Sequence, residues 1–267
     1  RETVPQIDRP LIWCSWPKLA PALRQYGRGP VVFDYLDDFA EHRPDLPAMF
    51  ALADLVVVTS HRLEDIARNH HQVVVRVPNA CHFELESRGG SEPPDLVHLP
   101  RPRIGFVGAW GQWCSNEILA AVAREIPEAS VVVVGPSFGQ PLPGALNIRT
   151  LGARPYETLP AYMAGFDVAI VPFDQSDVSL AANPIKLWQY LAAGLPVVAT
   201  DSPETRELVP YVRVADTPEA FVAGIRAAIT EDSPEDREKR RRFASENTWR
   251  HRFTQIHQAI QRVRWPA

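Results

Sequence analysis

Residues 183–200 read NPIKLWQYLAAGLPVVAT, and this stretch decides both the fold class and where a ligand would sit. Asn183 is a helix-capping type, Pro184 suits the first helical position, and Gly194 suits the left-handed residue that ends a helix. The spacing predicts a helix over 184–193 that turns directly into the apolar run 197–200. That run has no polar alternation, as in a parallel strand covered on both faces. Lys186 falls in the first turn, where it opposes the positive end of the helix dipole at a cost of roughly 0.3–1 kcal/mol unless an anion sits there. A phosphate would offset that cost; the alternative is a solvated lysine on a helix entering a parallel sheet.

The same alternation extends in both directions. Apolar runs at 104–108, 131–135, 148–151, 168–172, 197–200 and 212–214 alternate with helical patterns at 116–125, 157–164, 184–193 and 219–230. This is the signature of a doubly wound α/β unit. Ligands of such sheets lie beyond the carboxyl ends of the strands, at the switch in strand order. The loops of interest are therefore 108–113, 135–139, 152–156, 173–183 and 201–205. Upstream, strands are predicted at 11–14, 30–34, 55–59 and 73–77, with helices at 19–26 and 61–70. Between 87 and 103 periodicity disappears, and Pro93, Pro94, Pro100 and Pro102 gather beside Gly89 and Gly90, as in a linker. Two domains are expected, 1–95 and 96–267.

Bulk properties narrow the function classes. The 267 residues are 45% apolar and 22% charged, which suits a globular protein with a large core. The net charge of −4 spreads over both halves, so nucleic acid is not expected as a partner. Cys14, Cys81 and Cys114 lie far apart without metal-ligand spacing, so neither disulfides nor a zinc site is expected and a cytoplasmic location fits. No run approaches the roughly 20 apolar residues of a membrane span. Between Arg237 and Arg264, nine Arg or Lys face only Glu238 and Glu246, with Trp249 and Trp265 nearby. That segment is read either as a solvated helix face or as a peripheral contact with anionic lipid or a partner. The chain opens on Arg1 rather than Met, which suggests processing or a fragment.

No GxGxxG or GxxxxGK[ST] signature occurs, so dinucleotide oxidoreductases and P-loop ATPases gain no support. Four motifs in order do carry a resemblance: GFVGAW (105–110), VVVVGP (131–136), LGARPYETLPAYMAGFDVAIVPF (151–173) and NPIKLWQYLAAGLPVVAT (183–200). Together they resemble the donor-binding half of a GT-B glycosyltransferase, of the group 1 and family 4 type that assembles cell-envelope polysaccharides. Runs VVFDYLDDF (31–39), ADLVVVTSHRLEDIA (53–67) and VRVPNACHFE (75–84) are similar to the closing part of the acceptor-side domain. The resemblance implies two Rossmann-like domains facing across a cleft, with the first one short of its opening strands.

It also implies a nucleoside diphosphate sugar as donor, its diphosphate over the start of the 184–193 helix. The implied donor contacts are Gly108, Ala109, Trp110 and Gly135 in the first two loops, Gly152 and Arg154 near the nucleobase, and Asn183, Pro184, Ile185, Lys186 and Gln189 on the helix. No metal or other cofactor is implied, and the second half carries no DxD. The acceptor would be a hydroxyl of a glycan or lipid-linked saccharide. One departure stands out: where the family carries two Glu eight positions apart, the later one on the ribose, this chain has Ala181 and Gln189. A glutamine can still accept from one hydroxyl and donate to another.

An acid or base is sought among Asp34, Asp37 and Asp38, at the end of a predicted strand, with His42 and His82 also in loops. Asp38 is the first choice and Asp37 the second; turn and capping roles are the alternative. The expected function is a retaining, metal-independent sugar transfer. Two other readings stay open. A donor-binding protein without catalysis would leave the donor intact, and a nucleotide-sugar epimerase would change the sugar without an acceptor.

Overall fold

The computed structural model describes residues 10–26 and 29–263. Arg1, Arg264 and Trp265 lie outside the described residues. The chain divides into two compact units. The first comprises residues 1–78, 180–183 and 252–267, and the second residues 79–179 and 184–251.

In the first unit four parallel strands lie in the order β1-β2-β3-β4, with β1 Ile12–Cys14, β2 Val31–Tyr35, β3 Leu55–Val58 and β4 Val74–Arg76. Helices α1 (Ala20–Tyr26), α2 (Leu46–Leu52) and α3 (His61–Arg68) connect them. Alternate residues of the strands feed two cores, because the side-chain period of a strand is two. Phe33, Tyr35, Val56 and Val58 pack with Leu46, Met49, Phe50 and Leu63 on one face. Val32, Leu55 and Val57 point to the other.

The second unit opens with two short helices, α4 (Phe83–Glu86) and α5 (Pro94–Val97). Its main sheet has six parallel strands: β5 Arg103–Val107, β7 Ser130–Val134, β9 Ile148–Thr150, β10 Val168–Val171, β11 Val197–Thr200 and β12 Val212–Ala215. A small parallel pair, β6 Trp110–Gly111 and β8 Ser137–Phe138, extends the loops after β5 and β7. The unit's helices are α6 (Asn116–Glu125), α7 (Leu159–Ala164), α9 (Ile185–Ala193), α10 (Pro203–Glu207), α11 (Pro218–Glu231) and α12 (Pro234–Ser245), while α8 (Asp177–Ala181) ends, and most of α13 (Trp249–Arg262) lies, in residues assigned to the first unit. The sheet order is β12-β11-β10-β5-β7-β9. The chain therefore builds outward from β5 through β7 and β9, returns to β10 on the other side, and builds outward again. Its order reverses between β5 and β10, and α9 is the second helix after β10, leading into β11.

The units part at Pro78, not at the expected 95/96. The proline-rich stretch is held to the second unit by polar side chains, which leave no periodic apolar signal. Arg103 is buried and paired with Glu92, and it donates to the carbonyls of Leu99 and Val97. Arg154 meets Asp95 at 2.7 Å. Leu96 is buried, and Cys81 bridges to Thr248.

The basic C-terminal segment is also more than a solvated face. Arg240 is 7% exposed, pairs with Asp232, and gives Nε and Nη2 to the Gly194 carbonyl at 3.1 and 3.0 Å. Arg241 reaches the Ala193 carbonyl at 3.3 Å. Both cations therefore sit at the negative end of α9, where the helix dipole favours them. Ile256, Ala259, Ile260 and Val263 of α13 pack on the second core of the first unit.

Candidate active site at the switch in strand order

Helix α9 begins one residue later than its capping pattern suggests. Pro184 is the N-cap, with no side-chain cap bond, and Asn183 is buried just before it. The far end follows the sequence: Gly194 is left-handed at φ 79°. Gly194 N–H donates to Leu191 O (3.0 Å) and Leu195 N–H to Tyr190 O (2.9 Å), the bond pair of a Schellman ending. So terminated, α9 presents Lys186, Gln189 and Tyr190 within one turn.

Tyr190 is fully buried, and its phenol oxygen accepts the Val107 N–H at 2.7 Å. That bond pins the last residue of β5, beside Gly108. Gly108 N–H then donates to Val134 O, and Trp110 N–H to Pro136 O, each at 2.9 Å. A Cβ at Gly135 would stand 2.0 Å from Gly108 O, so the two loops approach as closely as only glycine permits. The loop after β10 is tied in as well: Cys114 bridges Phe173, and Asp174 N–H donates to Trp113 O at 2.9 Å. Three strand ends around the switch point are thus cross-linked through their backbones.

Lys186 reaches into this corner. Its Nζ lies 4.8 Å from the centroid of the Phe173 ring and 5.2 Å from that of Phe106. A Cβ on Gly108 would meet its Cε at 3.1 Å. The lysine is half-buried, and among the described residues its ammonium has neither a hydrogen bond nor an ion pair. Desolvation lowers its pKa to about 8, opposed weakly by Cys114. Cation–π contact stabilises the ammonium in part, yet no negative group neutralises it.

The other expected donor residues divide into available and committed. Gly108, Ala109, Gly135 and Gly152 offer backbone at the strand ends; Gly152 is left-handed at φ 70°. Ile185 is exposed and Pro184 is buried. The side chain of Trp110 is committed to the core, edge-on to Phe106 and bonded to Asn116 at 3.1 Å, and its backbone N–H is taken up by Pro136 O. Arg154 is held by Asp95 and by the Tyr162 hydroxyl at 2.8 Å. Its guanidinium is engaged in the fold. Gln189 is buried and donates Nε2 to Glu86 at 3.0 Å. Sequence reasoning missed Glu86, Tyr190 and the two rings around Lys186.

In the first unit, Asp38 is not the open carboxylate expected. It is 4% exposed, receives Arg43 on both oxygens at 3.0 and 2.6 Å, and accepts the Tyr35 hydroxyl at 3.1 Å. Such a carboxylate is neutralised and held in place. Asp37 beside it is exposed and makes no hydrogen bond among the described residues. The protein around it raises its carboxyl above the usual range, and His42 counters that. Asp34 accepts from Trp13 Nε1 at 2.9 Å. The His42 ring lies tilted against Trp16 and edge-on to Phe39. Ala181 packs in the apolar core of the first unit.

Among the described residues no helix is long and apolar enough to cross a membrane. The expected cytoplasmic location is neither supported nor opposed by that.

Comparison with known proteins places this geometry. Residues 101–231 match the model of the family described as glycosyl transferases group 1. TuaH of Bacillus subtilis, whose name assigns it provisionally as a teichuronic acid biosynthesis glycosyltransferase, is 31% identical over 194 residues. That alignment covers 67% of this chain and 49% of the relative, so the chain spans about half the length of TuaH. Among solved structures, sucrose-phosphate synthase from Thermosynechococcus elongatus superposes with a TM-score of 0.74 at 18% identity, over 94% of this chain and 73% of that one. Anabaena Alr3699/HepE, solved with UDP-glucose, gives 0.74 at 17% identity, over 94% and 78%. Residues 101–231 thus match the group 1 glycosyl transferases, and the fold they lie in is that of the GT-B enzymes.

Proposed function

We propose that the protein transfers a sugar from a nucleoside diphosphate donor to a hydroxyl of a glycan or lipid-linked acceptor in envelope polysaccharide synthesis. The observation that carries this reading is Lys186, an ammonium without a counter-ion among the described residues, beside Gly108 at the switch in strand order. A diphosphate there would receive a charge-assisted bond from Lys186, next to the close-packed glycine backbone at 108 and 135. Negative charge develops on the leaving diphosphate during transfer, and a fixed cation stabilises it without reorganisation. Lys186 therefore serves as leaving-group stabiliser in a transfer that retains anomeric configuration and needs no divalent cation. The chain entering α9 through Asn183, Pro184 and Ile185 orients the phosphates, Gly152 lies toward the base, and Gln189 toward the ribose. The solved complex of HepE with UDP-glucose makes uridine the first base to try.

Asp37 takes the acid–base role that Asp38 cannot, with Asp38 and Arg43 holding the loop that carries it. Asp37→Asn should lower the transfer rate without changing the melting temperature, whereas Asp38→Asn should lower the melting temperature.

Calorimetric titration with UDP and with GDP tests the donor site. Binding of one of them, weakened by about 1.5–3 kcal/mol in Lys186→Ala, is the expected result. No binding of either by the intact protein sinks the proposal. A second reading, donor binding without transfer, is favoured by Ala181, which offers no polar group where the family resemblance implies a carboxylate. Donor hydrolysis or transfer that persists in EDTA and is lost in Asp37→Asn rules that reading out.

A further inference from the structure

Glu86 is a buried carboxylate of the second unit, facing helix α9. It is 2% exposed in α4 and receives three donors: His82 N–H at 2.9 Å on Oε2, and the Tyr156 hydroxyl at 2.6 Å and Gln189 Nε2 at 3.0 Å on Oε1. None of the three is a cation. A carboxylate kept from water without a positive partner is expensive, and three neutral donors offset only part of that cost. An apolar residue would pack α4 against α9 more cheaply, so the carboxylate serves something beyond packing.

Its effect is on the polarity of Gln189. An amide has one donor end and one acceptor end, whereas an ionised carboxylate only accepts. With Nε2 on Glu86, a flip of the amide would set oxygen against oxygen. Gln189 is therefore locked with Oε1 away from Glu86, its amide also lying beside the Tyr156 hydroxyl. Gln189 follows Lys186 by three positions on α9, so the two side chains leave the same face of the helix.

We propose that Glu86 is a positioning residue that turns Gln189 into a dedicated acceptor, so that the site selects a ligand carrying a hydroxyl next to its diphosphate. For a nucleoside diphosphate that hydroxyl belongs to the ribose diol. Gln189 thereby does with an amide what a carboxylate oxygen would do, the negative charge being supplied one residue back, by Glu86. This rests on the donor reading above and assigns the residue that enforces ribose selectivity.

The test compares affinities for UDP and GDP with those for their 2′,3′-dideoxy forms, alongside a melting curve for each variant. Intact protein should prefer the ribonucleotide by about tenfold. In Glu86→Gln the amide pair can flip, so the preference should fall to about twofold or less, while the affinity for the dideoxy form stays unchanged. A merely structural loss would weaken both ligands together. Gln189→Glu sets two carboxylates against each other and should lose the preference; the double variant E86Q/Q189E, with donor and acceptor exchanged, should regain it. Should E86Q not fold, this reversed pair decides the question. A full preference in folded E86Q, no preference in the intact protein despite binding, or no recovery in the double variant overturns the role of Glu86. Failure of the intact protein to bind any of the four nucleotides is a separate result, which overturns the donor reading itself.

Discussion

Lys186 holds its ammonium 4.8 Å from the centre of the Phe173 ring, with no carboxylate or carbonyl bonded to it among the described residues. Such a group destabilises the unliganded protein for the benefit of an anion. Its folded pKa, about 8, lies below the value of a free lysine. The folded state therefore disfavours the ammonium at every pH below 8, and stability rises as pH climbs from about 8 toward 10.5, where both states lose the proton. Lys186→Met keeps the chain length and removes the charge. It should raise the melting temperature of unliganded protein at pH 7 by about 2–4 °C, roughly 1 kcal/mol, while removing nucleotide affinity. A lowered melting temperature would show that the ammonium has a stabilising partner.

The same shift predicts how binding depends on pH. An anion on Lys186 favours the charged form, so bound protein keeps a proton that free protein begins to lose above pH 8. UDP affinity should be flat between pH 7 and 8 and fall above it. Titration at pH 9 in two buffers of different ionisation enthalpy should reveal uptake of close to one proton on binding. Lys186→Arg, which stays charged, should show none. Uptake that persists in Lys186→Arg would assign the proton to another group.

Gly135 tests whether the loops after β5 and β7 act as one cradle. A methyl there would lie 2.0 Å from Gly108 O and 2.5 Å from its carbonyl carbon, both backbone atoms that cannot move alone. Gly135→Ala should destabilise the protein by roughly 1–3 kcal/mol and cost at least tenfold in nucleotide affinity. Gly144, with nothing within 4 Å of its added Cβ, is the control, and Gly144→Ala should be neutral in both measurements.

The parallel strands and the helix α9 were legible because their signals are local: unbroken apolar runs such as VVVV, and Gly194 where a left-handed residue ends the helix. Lys186 was legible as a charge at the wrong end of a dipole. Its aromatic surroundings were not, since Phe106 lies within β5 and Phe173 just past β10, two strands that only the sheet order brings together. Glu86 lay beyond reach for the same reason. Its partners Tyr156 and Gln189 are 70 and 103 positions away, and its own segment has no periodicity. Among the three aspartates after β2, composition could not say which one Arg43 would capture. The proline-rich stretch misled the domain boundary because hydrogen bonds, which leave no pattern in hydropathy, hold it to the second unit.

The basic C-terminal segment gives the last prediction, a contact with anionic lipid. Arg240 and Arg241 are turned inward onto the end of α9, which removes them from any surface role. Arg242, Arg250 and Arg262 stay exposed, and Trp249 and Phe253 stand out among them, Phe253 at 69% exposure. Positions 249, 253 and 257 recur every fourth residue, so Trp249, Phe253 and His257 form one aromatic stripe flanked by arginines. Exposed rings beside cations suit the headgroup region of an anionic bilayer, where each basic residue contributes about 1 kcal/mol. The protein should co-sediment with phosphatidylglycerol vesicles at low salt and release as salt rises, while phosphatidylcholine vesicles leave it in the supernatant. W249S/F253S should weaken that binding without altering UDP affinity. Equal binding to neutral vesicles, or none to anionic ones, would return this helix face to the role of a solvated surface.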